Sequence, residues 1–305
     1  MKAPRNKTID LSVKDGKEYL DRCLTLKDAV RKDQIKDRVI RGDFFKAASL
    51  LPSGFADLVI ADPPYNLDKT FSSAKFSRMD DDEYGAYTES WVKLIRPFMK
   101  DTATIYVCCD WKSSNAVYSV LKRHFKIRNR ITWQREKGRG AKSNWKNSME
   151  DIWFATVSDD YVFNTGDVKI RRKVIAPYRE NGMPKDWVDS PDGRYRDTCP
   201  SNFWDDITVP YWSMKENTPH PTQKPEKLLA KLILASSSPG DTVFDPFLGS
   251  GSTVVAAMKL GRHYTGVEKE EQYCVWAQKR LEMAREDSSI QGYSDGIFWE
   301  RNSRP

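Results

Sequence analysis

Apolar runs alternate with amphipathic stretches along most of the chain, and this alternation predicts an α/β fold. The segments ADLVIAD (56–62) and TATIYVCCD (102–110) are compact apolar runs of the kind that form buried strands of a parallel sheet. Between them, DDDEYGAYTESWVKLIRPFMK has apolar residues at helical spacing. The segments SSNAVYSVLKRH, KIRNRITWQRE and EDIWFATVS then predict a helix and two more strands.

The pattern changes in the middle of the chain and then returns. Residues 161–219 lack a long apolar period, which predicts long surface loops, but aromatic residues of buried character favour order there: Trp187, Tyr195, Phe203, Trp204 and Trp212. From Pro225 onwards the pattern predicts a helix, a strand–glycine turn–helix unit and a strand–helix unit. The sequence therefore predicts a mostly parallel twisted sheet with helices on both faces and a loop-rich insertion.

The two ends of the chain carry weaker patterns. Residues 1–36 are polar, with a weak helical pattern around Tyr19 to Val30, and we expect an N-terminal arm or an appended helix. We expect a single domain over residues 37–285 and a short, loosely ordered tail over residues 286–305.

Charge is concentrated in one part of the chain. The net charge of the 305 residues is only +7, but residues 122–146 hold ten Lys or Arg residues and one acid, Glu136. This local excess predicts a surface that binds a polyanion; a solvated protein face is the alternative.

The five cysteines lack the C-x-x-C spacing of zinc sites, so we expect reduced thiols, no metal and a cytoplasmic protein. No run approaches the roughly 20 apolar residues of a membrane span, and we expect no membrane partner.

The first candidate site is the sequence ADPPYNL (61–67), which follows an apolar strand. Proline cannot donate to a sheet ladder, so the strand must end here. Proline also fixes its own φ and holds the preceding residue extended. The motif is therefore a rigid turn that presents Asp62 and Tyr65 at the carboxyl end of a strand.

The second candidate site is the glycine turn in VFDPFLGSGSTVV. Gly249 and Gly251 allow close backbone approach to a ligand between a strand and a helix, and Asp245 precedes them at the strand's carboxyl end. The next strand ends in Glu268, which is placed to bind a ribose hydroxyl pair. The third small residue of a dinucleotide signature is absent, since Val254 stands there, so a nucleoside without a polyphosphate is the favoured ligand.

These stretches, together with HPTQKP (220–225), resemble the amino-methyltransferases of DNA, which use S-adenosylmethionine. The matching features are ADPPYNL, HPTQKP, FDPFLGSGST (244–253) and the acid in GVEK (266–269), and their order resembles the family's beta group. The resemblance implies a Rossmann-like methyltransferase sheet in permuted order, a target-recognition region over about residues 134–219, and a homodimer.

The resemblance also implies roles for individual residues. The catalytic residues would be Asp62, Pro63, Pro64 and Tyr65. Asp62 and the carbonyl of Pro63 would accept the two hydrogens of the target amine, and Tyr65 would stack on the base. The cofactor S-adenosylmethionine, without a metal, would contact Asp43, Phe44, Asp62, Thr222, Lys224, Asp245, Phe247, Gly249, Ser250, Gly251, Thr253 and Glu268. Within this set, Glu268 would hold the ribose, and Thr222 and Lys224 the carboxylate side.

The partner that the resemblance implies is double-stranded DNA, from which the target base must be flipped out. We expect contacts to DNA from basic residues in three segments: Lys69, Lys75 and Arg78; Arg135, Lys137, Arg139 and Lys142; and Arg171, Arg172 and Lys173.

Alternatives remain at this point. A cytosine C5-methyltransferase would need a cysteine that follows a proline, whereas Cys199 precedes Pro200, and this class is excluded. Asp62 favours adenine N6 over cytosine N4, because amino-cytosine members of the family often carry serine there. A non-catalytic DNA-binding protein and a nicotinamide-dependent oxidoreductase are further alternatives.

Overall fold

In a computed structural model of the protein, the described residues are 4–71, 74–135, 144–175, 178–190 and 193–300. The helices are α1 (Lys17–Asp21), α2 (Lys32–Ile35), α3 (Phe44–Ala47), α4 (Asp81–Ile95), α5 (Ser114–His124), α6 (Glu226–Ser236), α7 (Ser252–Lys259) and α8 (Glu271–Glu286). Short 3-10 turns span Ala48–Leu50, Arg96–Phe98 and Thr165–Val168.

The strands are β1 (Arg38–Arg41), β2 (Ala56–Ala61), β3 (Lys69–Phe71), β4 (Ala74–Phe76), β5 (Met99–Cys109), β6 (Lys126–Gln134), β7 (Met149–Thr156), β8 (Ile170–Lys173), β9 (Arg179–Glu180), β10 (Met183–Pro184), β11 (Val188–Ser190), β12 (Gly193–Thr198), β13 (Phe203–Trp204), β14 (Thr242–Asp245), β15 (His263–Glu268), β16 (Tyr293–Ser294) and β17 (Ile297–Trp299).

The main sheet has the strand order β1-β15-β14-β2-β5-β7-β6-β13. From β1 across to β5 the neighbouring strands run parallel, β7 is antiparallel to both of its neighbours, and β13 is parallel to β6. The N-terminal and C-terminal parts of the chain meet where β2 pairs with β14, with Val59 opposite Phe244. The prediction of a mostly parallel sheet that both parts complete is confirmed.

Strand β2 is buried on both faces, which explains its continuous apolar sequence. Leu58 and Ile60 belong to a core cluster with residues of α6, α7 and α8, whereas Val59 and Ala61 belong to a second cluster with residues of α4 and α5. Each fully buried side chain of this size contributes about 1.5–3 kcal/mol through the hydrophobic effect. This burial holds the end of β2, and so the turn that follows it, in a fixed position.

The middle of the chain and the tail form a second sheet, in the order β11-β12-β8-β17-β16. Phe298 of β17 pairs with Ile170 of β8 and is fully buried, so the expectation of a loosely ordered tail is wrong for this strand. Trp187 and Trp204 are buried as predicted, but Phe203 and Trp212 are 48% and 51% exposed. The long-range pairing of β8 with β17 has no local sequence signal.

The N-terminal arm packs on the rest of the protein. The backbone N–H groups of Lys7 and Ile9 donate to the carbonyls of Trp212 and Asn217, and the Tyr19 hydroxyl donates to Glu282 at 2.7 Å. The helical pattern around Tyr19 to Val30 was a wrong prediction beyond Asp21, where α1 ends. The division into arm, catalytic domain and tail stays a prediction. No described helix has the length and apolar character that a membrane span requires.

Candidate active site

A cleft lies where the strands β1, β2, β14 and β15 reach their carboxyl ends, and it holds about 1380 Å³ of space that opens to solvent. Both predicted motifs line it, although they are far apart in sequence. The lining includes all four predicted catalytic residues and eleven of the twelve predicted cofactor residues: Asp43, Phe44, Asp62, Thr222, Lys224, Asp245, Phe247, Gly249, Ser250, Thr253 and Glu268. Gly251 is the predicted cofactor residue that is not part of this lining.

The two oxygens of Asp62 have different surroundings. Oδ2 accepts a hydrogen bond from Lys224 Nζ at 2.7 Å. Oδ1 is buried and has no hydrogen-bond partner among the described residues. A buried acceptor without a donor is unfavourable, so this atom is ready to accept a hydrogen bond from a bound ligand.

Helix α4 fixes the turn that follows Asp62. The hydroxyl of Tyr84 donates to the carbonyl of Pro64 at 3.0 Å. The side chain of Asn66 binds both backbone groups of Met79, accepting from its N–H at 2.7 Å and donating to its carbonyl at 2.9 Å. The helix itself begins with a capping box formed by Asp80 and Glu83. The conformation of the turn is therefore set from outside as well as by its prolines.

Behind the turn lies a buried group of charged side chains. Lys224 Nζ contacts Asp62, the hydroxyl of Tyr65 at 3.1 Å and Glu150 Oε2 at 3.4 Å. The Tyr65 hydroxyl donates to Glu150 at 3.1 Å, and Arg135 forms an ion pair with the same carboxylate. Sequence reasoning missed Glu150, because an acid next to the exposed Met149 looks like a surface residue; its only signal is its place at the start of an apolar strand.

This environment shifts two pKa values in the direction that keeps the group protonated. Burial alone would lower the pKa of Lys224, but the carboxylates of Asp62 and Glu150 outweigh it and raise that pKa above the ordinary value. Burial, followed by the same two carboxylates, raises the pKa of Tyr65. The ammonium therefore stays charged, and the phenol stays a hydrogen-bond donor.

The HPTQKP segment is positioned differently from what the resemblance implies. The Lys224 ammonium has protein partners on the catalytic side, so the predicted contact to a ligand carboxylate would compete with them. Thr222 lines the cleft, and its backbone N–H donates to His220 Nδ1 at 3.3 Å. The His220 ring packs against Tyr273 with a centroid distance of 4.4 Å. His220 and Tyr273 line the cleft and were not predicted as site residues.

The two glycines of the turn have separate roles. Gly249 has φ +56°, and a Cβ atom there would lie 3.1 Å from the His220 ring. Gly251 has φ +88° at the start of α7, and a Cβ atom there would lie 2.7 Å from the Cβ atom of Ala277. Gly249 thus keeps the cleft wall low, whereas Gly251 lets α7 and α8 approach each other.

Two acids form the opposite wall of the cleft. The Glu268 carboxylate accepts from the backbone N–H groups of Gly249 at 2.7 Å and Glu270 at 2.8 Å, and Asp245 accepts from Phe247 N–H at 2.9 Å. Burial raises the pKa of each acid to about 7. Both carboxylates are thus stabilised by backbone donors while a low-dielectric environment disfavours their charge.

Asp43 and Phe44 also have structural partners. Asp43 caps α3 by accepting from the N–H of Phe45 at 2.9 Å. Phe44 is buried and meets Phe247 edge-on at 5.8 Å. The aromatic side chains of Phe76 and Tyr87 line the same region of the cleft and were not predicted, although Tyr84 and Tyr87 share a face of α4.

Comparisons with known proteins identify the family. A family model described as DNA methylase, N6_N4_Mtase, matches residues 56–279. The chain belongs to this family of DNA methylases. The type II methyltransferase M.HpaI of Haemophilus parainfluenzae is 31% identical over 260 residues, which are 84% of this chain and 76% of that protein. The DNA adenine methyltransferase YhdJ of Escherichia coli K12 is 31% identical over 254 residues, covering 81% and 83%.

Solved structures show the same fold. The PvuII DNA methyltransferase, which is cytosine-N4-specific, matches with a TM-score of 0.55 and 17% identity, covering 80% of this chain and 85% of that chain. Structures that share the fold also include DNA methyltransferases in complex with S-adenosylmethionine. The predicted Rossmann-like methyltransferase fold is confirmed. Within the described part of this DNA methylase, no cluster of His, Cys, Asp and Glu side chains could hold a metal ion.

The predicted DNA contacts of this DNA methylase fall into three groups. Arg78 and Lys173 are exposed. Arg135, Arg171 and Arg172 are engaged in ion pairs: with Glu150, with Asp197 at 2.7 Å, and with Asp205 and Glu300 at 3.8 and 3.5 Å. Lys137, Arg139 and Lys142, and the side chains of Lys69 and Lys75, lie outside the described part of the structure.

The basic stretch at residues 122–146 is partly neutralised by the fold. Lys126 and Arg128 both pair with Asp159, and Arg123 pairs with Glu89 at 2.5 Å. The excess positive charge that DNA would meet is therefore smaller than the sequence indicates.

Proposed function

We propose that this DNA methylase transfers a methyl group from S-adenosylmethionine to the N6 amine of adenine in double-stranded DNA, after flipping the base out of the helix. The observation that carries the proposal is the buried Oδ1 atom of Asp62, which lacks a partner among the described residues at the end of a cleft that can hold a nucleoside. A homodimer, as the resemblance implies, is part of the proposal.

The target amine needs two acceptors, because its lone pair is delocalised into the ring and must be localised and aimed. Asp62 Oδ1 would accept one hydrogen. The carbonyl of Pro63 would accept the other, since the carbonyl of Pro64 already accepts from Tyr84. Tyr65 has its hydroxyl held by Lys224 and Glu150, which fixes its ring as a face for the flipped base to stack on.

The residues of the cleft fit the proposed cofactor. When bound, S-adenosylmethionine supplies an electrophilic methyl group on a positively charged sulfur. Two buried acids, Asp245 and Glu268, suit a cationic ligand with ribose hydroxyls, and the missing side chain at Gly249 leaves space beside His220. Glu268 would hold the ribose, and Asp245, Phe247 and Gly249 would line the methionine end.

Adenine is favoured over cytosine by Asp62 and by the name of the relative YhdJ. The second candidate is N4 of cytosine, which is the specificity that the PvuII enzyme's name states. Both amines need the same two acceptors, so the proposed mechanism holds for either base.

The decisive experiment is long-read sequencing, scoring modified bases, of DNA from cells that express this chain, beside an Asp62→Ala control. We expect N6-methyladenine at one sequence motif, absent from the control. N4-methylcytosine would keep the mechanism and overturn the choice of base. No modification would favour a non-catalytic DNA-binding protein.

A further inference from the structure

We propose that Glu150 is a positioning residue for methyl transfer, which holds Lys224 and Tyr65 so that one oxygen of Asp62 stays open to the target amine. This inference rests on the proposed function and adds to it a residue outside the sequence motifs.

Glu150 lies at the centre of the charged group behind the catalytic turn. Its side chain is 2% exposed, and its carboxylate meets the Tyr65 hydroxyl, the Lys224 ammonium and the Arg135 guanidinium. It does not belong to the lining of the cleft. Glu150 therefore acts on the reaction only through its neighbours, and a direct contact with the base is not part of its role.

The charges alternate in sign from the catalytic acid to the end of β6. Asp62 is followed by Lys224, then by Glu150, and then by Arg135. Each buried charge has an opposite charge beside it, which is the condition for keeping charged groups out of water. Removing the Glu150 charge would leave Asp62 as the remaining carboxylate among the described contacts of Lys224.

The position of the Lys224 ammonium decides what Asp62 can do. An ammonium has three donors, and three oxygens lie around Nζ: Asp62 Oδ2, Tyr65 Oη and Glu150 Oε2. With Glu150 present, only Oδ2 of Asp62 is engaged. Without its charge, Lys224 is free to move between both oxygens of Asp62 and to cover the acceptor that the amine needs.

The fold places Glu150 where it can do this. Glu150 is the second residue of β7 and stands opposite Trp133 of β6. The backbone N–H of Arg135 donates to the carbonyl of Ser148 at 2.6 Å, which closes the base of the β6–β7 connection. The carboxylate is thus held by two paired strands rather than by a loop.

The test is single-turnover methyl transfer from radiolabelled S-adenosylmethionine to unmethylated plasmid DNA by the full chain. Glu150→Gln keeps the shape and removes the charge. We expect its rate to fall about 100-fold, as a misplaced catalytic group does, with cofactor affinity by calorimetry within threefold of the native value. Glu150→Asp, which keeps the charge, should recover at least tenfold of that loss.

The matched control is Asp151→Asn, in the next residue of the same strand. Asp151 is buried and accepts from Thr132 at 3.0 Å, away from the catalytic turn. We expect a loss of thermal stability from this variant, with a rate within threefold of native. If Glu150→Gln loses only rate in proportion to its stability, as Asp151→Asn does, Glu150 is a fold residue and the inference is wrong.

A double variant separates positioning from other effects. If Glu150 acts through Lys224, then Glu150→Gln combined with Lys224→Met should be no slower than Lys224→Met alone. Multiplying effects would overturn the inference. Should Glu150→Gln not fold, the comparison of Glu150→Asp with the native chain decides: a rate equal to native despite the shorter side chain contradicts positioning. Methylation by the native chain in the same assay tests the proposed function independently.

Discussion

The Nζ atom of Lys224 lies 2.7 Å from Oδ2 of Asp62, although the two residues are 162 positions apart in the sequence. The contact joins the HPTQKP segment to the ADPPYNL motif and leaves Oδ1 of Asp62 as the acceptor without a partner in the described structure. A residue for which the resemblance implies a cofactor contact is thus a neighbour of the catalytic acid.

We expect Asp62→Ala to reduce methyl transfer by about 1000-fold, because it removes an aligned acceptor from the target amine. Cofactor binding should persist, since Glu268, Asp245 and the glycine turn are unchanged. Single-turnover rates and calorimetry check the two halves of this prediction. Turnover near the native rate would refute the mechanism.

Tyr84→Phe should loosen the catalytic turn. The variant loses the hydrogen bond to the carbonyl of Pro64, and we expect a roughly tenfold slower methyl transfer, with a stability loss of about 1 kcal/mol. Tyr106→Phe is the matched control, because Tyr106 is also buried and loses a 2.8 Å bond to Ser236, away from the cleft. Equal rate losses in both variants would contradict a local role for Tyr84.

Glu268→Ala should weaken the binding of S-adenosylmethionine by tenfold or more, on the order of 1.4 kcal/mol. The change removes the proposed ribose acceptor and leaves the N–H groups of Gly249 and Glu270 without it. Calorimetry measures the affinity. Glu271→Ala, in an exposed residue that pairs with Arg41 at 3.1 Å, should bind normally, and unchanged binding by Glu268→Ala would exclude the ribose role.

The two buried acids predict how pH affects the cofactor-free protein. Burial raises the pKa of Asp245 and of Glu268 to about 7, above their ordinary values of about 3.9 and 4.3. The folded chain thus holds these protons more tightly than the unfolded chain does. Their contribution to the free energy of unfolding therefore falls as pH rises from about 4 to above 7.

A cationic ligand favours the ionised acids, so cofactor affinity should rise between pH 6 and pH 8, with release of protons. Calorimetry in two buffers of different ionisation enthalpy counts these protons. Asp245→Asn should reduce the number released. Affinity that does not vary over this range would contradict the predicted linkage.

Gly251→Ala should destabilise the fold, because the added Cβ atom would lie 2.9 Å from the Cα atom of Ala277 and φ is +88°. We expect a loss of about 2 kcal/mol or more in chemical unfolding. Gly85→Ala is the opposite case. Gly85 lies inside α4 with open space around it, and alanine there should stabilise the protein by about 0.5–1 kcal/mol. Equal effects at the two sites would contradict this account.

Local chemistry explains what could be predicted from the sequence. Strands β2, β14 and β15 carry apolar runs, and each ends in a residue that needs a special environment: Asp62 before two prolines, Asp245 before the glycine turn, and Glu268 before a helix. Because parallel strands end at one edge of a sheet, the sequence alone places these residues in one cleft.

Only the tertiary structure decided which side chains surround them. Glu150, Tyr84 and the partner of Lys224 come from β7, α4 and the loop after β2, and their contacts depend on the strand order. The strand β17 in the tail is similar, because its partner β8 lies more than a hundred positions away. A charged residue has the same local sequence signal whether it is solvated or buried beside an opposite charge. Its role is therefore set by the partners that folding brings to it, and those partners are distant in the sequence.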